Sequence, residues 1–368
     1  MKIKVERDVF LEALKIVAPG VSAKSTLPVL ACVKLEASRD EVSLATTNLD
    51  LSLYTALPAS VIEGGAAVVD HALLGAVIEK MRANTVTLIV DENKSKRITV
   101  QSDDGTVHLK GVSVDEFAAM PVVLTENTTT VAIPEWFKRA VNSIAFAAAD
   151  DDTRPTLTGV YVVGANDKVT LAATNGFVLA QWQVETAVSW PDVKVNIPAR
   201  HLKEIIRVME PTSITFNCEL VVFESARVRA VLRTLEGNYP NYNEIIKPPV
   251  ASALRAQKPE LAVACGLALV IAVGKDATTK MSYESDMLVL EASFSDRGEN
   301  ASVCRATVDD SASVTAVTLS ARLMNDIVFH VPGQEVVVRV PVSGMEPIVF
   351  LCADEPAWMA VQMPMLSK

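Results

Sequence analysis

The sequence predicts an α+β protein of three similar domains, each doubled into two units of one helix plus short, mostly antiparallel strands. Three observations predict it: an internal repeat, six evenly spaced helical patterns, and alternating β-branched runs between them.

The repeat is read most directly between Pro28–Asn48 and Pro155–Asn175, which align without a gap at a constant offset of 127. Identities along this span include Pro28/Pro155, Leu30/Leu157, Val33/Val160, Asp40/Asp167, Val42/Val169, Leu44/Leu171, Ala45/Ala172, Thr47/Thr174 and Asn48/Asn175.

The helices follow the same spacing. Residues 7–17 place Val9, Phe10, Ala13, Leu14 and Val17 on one helical face, and residues 134–145 repeat this with Trp136, Phe137, Ala140, Val141 and Ile144. Leu74, Val77, Ile78 and Met81 correspond to Leu202, Ile205, Ile206 and Met209. A weaker third copy follows, where VTLSAR at 317–322 echoes VNIPAR at 195–200, and Met324, Ile327 and Val328 replace Leu202, Ile205 and Ile206. Helices are therefore expected to begin near residues 7, 71, 134, 198, 258 and 319.

Between them, runs such as Glu41–Tyr54, Thr85–Val90, Arg97–Val100 and Val336–Val340 read as strands, punctuated by Asp, Asn and Gly. Domain boundaries are expected at Pro121–Thr130 and Lys247–Ser252, giving domains 1–121, 130–247 and 252–368.

Composition narrows the class. Half of the 368 residues are hydrophobic, enough for several cores. The opening Met-Lys-Ile-Lys-Val-Glu-Arg-Asp reads as no signal peptide, and the longest apolar run, Leu261–Val273, is shorter than the ~20 residues a bilayer span needs. A cytoplasmic location is expected. Five scattered cysteines (Cys32, Cys218, Cys265, Cys304, Cys352) without a CxxC read as small core hydrophobes.

In order along the chain, TLPVL near residue 26, TTNLDLSL, ATNGFVLA, NYPNYNEII and the terminal VQMPM give the whole chain a resemblance to the beta subunit of bacterial DNA polymerase III. The resemblance implies the DNA clamp fold. It also implies a head-to-tail homodimer closed into a ring, with helices lining the hole and sheets outside. Implied partners are double-stranded DNA held without sequence preference, the polymerase III alpha subunit, a clamp-loader ATPase, and other polymerases and repair proteins carrying clamp-binding peptides. The implied role is that of a processivity factor, without catalysis or cofactor.

A net charge of −10 argues against DNA unless cations are segregated. They are. The six helical stretches sum to +4, leaving −14 for the remainder. The resemblance makes Lys24, Lys80, Arg82, Lys138, Arg139, Arg200, Lys203 and Arg207 the DNA-facing set, with Arg200, Lys203 and Arg207 spaced for one helix face.

The resemblance also implies a groove between the second and third domains that takes short peptides with hydrophobic anchors. Carried over residue by residue, it uses Leu157, Thr174, Gly176, Phe177, Val178, Leu179, Pro240, Ile245, Val361, Met363, Pro364 and Met365. Family positions that are basic or polar become Phe177, Val178, Glu244 and Leu366, which predicts a more apolar groove with an acid at one rim. Val107, Leu109, Ile271 and Ala272 match positions that meet across the family's dimer interface.

Two other classes compete. Asp150-Asp151-Asp152 offers carboxylates for a metal-dependent enzyme, but no further acidic motif completes a site, and a charge run between elements reads as a solvated loop. His71, His108, His201 and His330 lack HExxH spacing, and neither GxSxG nor GxxxxGK[ST] occurs. A diverged paralogue or a scaffold without DNA would share the repeat.

Overall fold

The computed structural model describes residues 1–91, 97–121, 128–151, 153–165, 167–186, 190–217, 219–243, 246, 250–274, 277–309, 316–341 and 345–365. Its helices are α1 (Arg7–Val17), α2 (His71–Lys80), α3 (Trp136–Ile144), α4 (Ala199–Val208), α5 (Lys258–Ile271) and α6 (Ala321–His330). Each begins within two residues of its expected start. The reason is local: apolar faces at helical spacing set the elements, and side-chain caps fix some ends. Asp70 accepts the Leu73 N–H at 2.7 Å to start α2, and the Ser320 hydroxyl accepts from Leu323 to start α6. The buried faces are those the repeat predicted, with Leu74 and Ile78 on α2, Leu202, Ile205 and Ile206 on α4, and Met324, Ile327 and Val328 on α6. Helix α5 differs, being apolar nearly all round, with Val263, Leu267 and Val270 exposed.

The residues form two compact units, Met1–Pro134 with His201–Thr234, and Glu135–Arg200 with Leu235–Lys368. Among the described residues the first holds a sheet of thirteen strands and the second a sheet of twelve. Within the first unit, Leu51–Pro58 pairs antiparallel with Val228–Arg233; within the second, Val178–Glu185 pairs antiparallel with Trp358–Gln362. Each sheet thus joins strands distant in sequence, which divides residues 130–247 between the two units.

The strand register carries the repeat into three dimensions. Val42 faces Leu57 and Thr47 faces Ser52; one repeat later, Val169 faces Val184 and Thr174 faces Leu179. One expectation is corrected here. The run Glu41–Tyr54 is not one strand but two, Glu41–Thr47 and Leu51–Pro58, because Asn48 turns the chain between them. The segments at Pro28 and Pro155 open short 3-10 turns, since proline fixes φ and has no N–H to give a ladder.

In the second unit Trp358, fully buried, donates its indole N–H to the Ser143 carbonyl at 3.0 Å. Cys32, Cys265, Cys304 and Cys352 are buried free thiols, and burial pushes the Cys265 thiol up to about 12 and that of Cys304 to about 11. Cys218 lies outside the described residues. Among those residues no helix is long and apolar enough to cross a membrane.

Candidate functional site

The strand pair Lys168–Thr174 and Val178–Glu185 is closed by a tight turn whose residues also shape a cavity. The Asn175 side-chain oxygen accepts the N–H groups of Phe177 and Val178, both at 2.9 Å. The Thr174 hydroxyl donates to the Val178 carbonyl at 2.6 Å and accepts from the Gly176 N–H at 3.1 Å. Gly176 takes φ +90°, which glycine adopts without Cβ strain. The first repeat builds the same turn: Asn48 accepts from Asp50 and Leu51, Thr47 accepts from Leu49, and Leu49 takes φ +80°. The Thr-Asn pair is therefore a turn device used twice.

Beside the Thr174–Leu179 turn lies a cavity of about 320 Å³, lined by Arg154, Thr156, Leu157, Thr174, Gly176, Phe177, Val178, Leu179, Asn238, Pro240, Asn241, Tyr242, Val361 and Met363. Leu157, Val178, Leu179 and Val361 are buried and offer an aliphatic floor, whereas Phe177 is 62% and Met363 38% exposed at the rim. These walls come from the Pro155–Thr158 turn, the Thr174–Leu179 turn, the segment 238–242 and the strand Trp358–Gln362. Leu179 and Val361 face one another in register across the sheet, so two strands from distant stretches form one surface.

Nine of the twelve groove residues expected from sequence line this cavity: Leu157, Thr174, Gly176, Phe177, Val178, Leu179, Pro240, Val361 and Met363. Pro364 and Met365 continue past it, half-buried, with the Met365 N–H on the Thr318 carbonyl at 2.8 Å. Ile245 lies outside the described residues, as do Glu244 and Leu366. Sequence reasoning missed Arg154, Thr156, Asn238, Asn241 and Tyr242. The last three stand in NYPNY, so a signal was present, though nothing in one sequence says which of those side chains faces the cavity.

A second cavity of about 360 Å³ shares Arg154, Leu157, Phe177 and Val178 with the first and is also lined by Asp150, Asp151, Arg322 and Asp326. Burial raises the Asp326 carboxyl above the usual carboxylate range, opposed by the charges of Arg322 and His330. Asp151 is held low by the Thr153 hydroxyl and N–H, which both bond its carboxylate. Asp152 lies outside the described residues, and among those described no group of three or more candidate ligands could hold a metal ion.

The basic side chains expected on DNA are all exposed: Lys24 in a loop, Lys80 and Arg82 at the end of α2, Lys138 and Arg139 on α3, and Arg200, Lys203 and Arg207 on α4. Among them, Arg139 and Arg207 are engaged within the chain. Arg139 pairs with Glu355 and lies 5.5 Å above the Trp182 ring, and the Arg207 Nε donates to Glu204 at 3.0 Å. Of the expected interface residues, Val107 is 37% exposed, while Leu109 and Ala272 are already buried within the chain and leave little surface for a partner. Ile271 is half-buried at the end of α5.

Comparisons with known proteins agree over most of the chain. Residues 1–121 match the family model of the DNA polymerase III beta subunit N-terminal domain, and residues 132–241 match that of its central domain. The beta sliding clamp of Streptomyces coelicolor is 30% identical over 307 residues, covering 80% of each chain. That of Synechocystis is 27% identical and covers 94% of this chain and 97% of its own. The fold of the beta subunit of DNA polymerase from Streptococcus pyogenes superimposes with a TM-score of 0.92 at 20% identity, covering all of both chains. The chain belongs to the bacterial DNA polymerase III beta-subunit family, the beta sliding clamps.

Proposed function

We propose that this chain is a processivity factor of DNA replication, which closes as a homodimeric ring around duplex DNA and tethers a polymerase through the groove at Leu179 and Val361. It acts by tethering rather than by chemistry. The observation that carries the tethering is the apolar floor made by Leu157, Leu179 and Val361 beneath a rim of Phe177, Pro240 and Met363. Aliphatic walls accept leucine and aromatic anchors of a short peptide, and a methionine re-packs around different partners.

Open strand edges support the assembly. Gly105–Lys110 pairs only with Arg97–Ser102, and Gly298–Arg305 only with Met287–Phe294, so among the described residues each leaves one edge without a strand. Exposed edges are templates for another chain, and a head-to-tail dimer covers both by placing the first against the second of its partner. In this reading the three domains 1–121, 130–247 and 252–368 each contribute two helices to the inner wall.

The basic helical faces support non-specific duplex contact. Phosphate contacts position without reading sequence, and few strong ones leave a ring free to slide. Reversing Arg200, Lys203 and Arg207 to Glu is expected to shorten retention on circular DNA and flatten its salt dependence, with the dimer intact. Retention measured against ionic strength checks this, and an unchanged salt slope refutes it. The polymerase III alpha subunit, a clamp-loader ATPase and repair proteins with clamp-binding peptides are the partners this reading assigns.

A further inference from the structure

The wall opposite the Thr174–Leu179 turn is the segment Asn238–Tyr242, which belongs to neither a helix nor a strand. Among the described residues no backbone–backbone hydrogen bond ties 236–242 to the sheet. Something else must hold Pro240, Asn241 and Tyr242 at the cavity, and the side chains of the two tyrosines do so. The Tyr239 ring lies flat on Tyr161 of the strand Gly159–Ala165, with centroids 4.6 Å apart and planes 4° from parallel. Tyr242 meets Tyr239 edge-on at 6.1 Å and packs with Leu179 and Val361 in one buried cluster. Such aromatic pairs contribute roughly 0.5–1.5 kcal/mol each beyond the area they bury.

The Tyr239 hydroxyl does more than cap the stack. It donates to the Ala172 carbonyl at 3.5 Å. Ala172 lies two residues before Thr174 on the strand Lys168–Thr174, whose end opens the groove's turn. One phenol therefore joins the two walls: its backbone is the linker wall, and its oxygen bonds the strand that carries the turn wall. Burial raises the phenol well above its ordinary pKa, so it stays neutral and keeps the proton it donates.

We infer that Tyr239, seated on Tyr161, is a positioning residue that fixes the width of the peptide groove by tying the linker wall to the strand that ends in the Thr174 turn. The inference rests on the groove reading above and goes beyond it, since Tyr239 itself does not line the cavity. A peptide need not touch Tyr239 to depend on it.

The test uses the full-length protein and a fluorescein-labelled C-terminal peptide of the cognate polymerase, read by anisotropy. Tyr239→Phe keeps the stack and removes the hydroxyl, Tyr239→Leu removes both, and Met363→Asp charges the rim directly. Removing the hydroxyl link is expected to weaken the peptide about threefold to tenfold, the worth of one net hydrogen bond. Tyr239→Leu should weaken it further. The amides of the 174–179 turn should exchange hydrogen faster in Tyr239→Phe while the global unfolding midpoint and dimer mass hold, which a merely structural role would not produce. Unchanged affinity in both Tyr239 variants, alongside lost affinity in Met363→Asp, overturns the inference and leaves the groove standing. Unchanged affinity in all three overturns the groove reading, and this inference with it.

Discussion

A chain ending at Met363 is expected to lose polymerase-peptide binding by at least ~30-fold, about 2 kcal/mol, while remaining a dimer. Two effects add. The Met365 N–H no longer anchors the tail to Thr318, so the rim loses its hold on one side. More important, truncation sets a new carboxylate on Met363 at the mouth of an apolar cavity. Seating an aliphatic anchor there strips water from that charge. Anisotropy on the full-length and truncated chains decides the matter. Equal affinity would place the partner site elsewhere and withdraw the groove assignments together.

The second large effect concerns assembly. The double variant Val107→Asp and Val303→Asp is expected to sediment at the 39.5 kDa chain mass at micromolar concentration, and the unmodified chain at twice that. Both side chains are exposed in the isolated chain, at 37% and 52%, so neither charge disturbs a core. Each is nevertheless on an open edge strand, where pairing with a second copy would carry an unpaired carboxylate into the seam, at several kcal/mol apiece. Leu109 is the wrong place for this test. Being already buried, it would report unfolding rather than dissociation. A dimeric double variant would move the interface away from these edges.

How much of this was legible in the sequence follows from where the information sits. The helices were readable because each carries its own apolar face, so Leu202, Ile205 and Ile206 reveal α4 without knowledge of what covers them. The repeat was readable because the Thr-Asn turn needs particular side chains: an Asx oxygen accepts the N–H groups two and three residues on, and Thr47-Asn48 therefore recurs as Thr174-Asn175. The break at Asn48 was passed over for the same reason in reverse, since Leu49 and Leu51 continue an apolar pattern that conceals a left-handed residue. The sheet joins, Leu51–Pro58 with Val228–Arg233 and Val178–Glu185 with Trp358–Gln362, pair residues more than a hundred positions apart and leave no local mark. Tyr239 was hidden most fully. Its role comes from a stack on Tyr161 and a bond to the Ala172 carbonyl, neither of which has any periodicity.

The acidity of the chain, −10 overall, is compatible with a DNA ring only if attachment is topological rather than tight. A protein that merely adhered through its basic helices would be released by salt and would not distinguish a closed circle from a linear duplex. The measurement that bears most directly on the account is therefore retention on DNA of changed topology. The protein is loaded by a clamp-loader ATPase onto a nicked circular plasmid, gel-filtered at elevated salt, and filtered again after the plasmid is cut once. The account predicts that it stays with the circle through the first column and runs off the linear product in the second. Equal retention on circle and linear DNA, or release from both by salt alone, would contradict it.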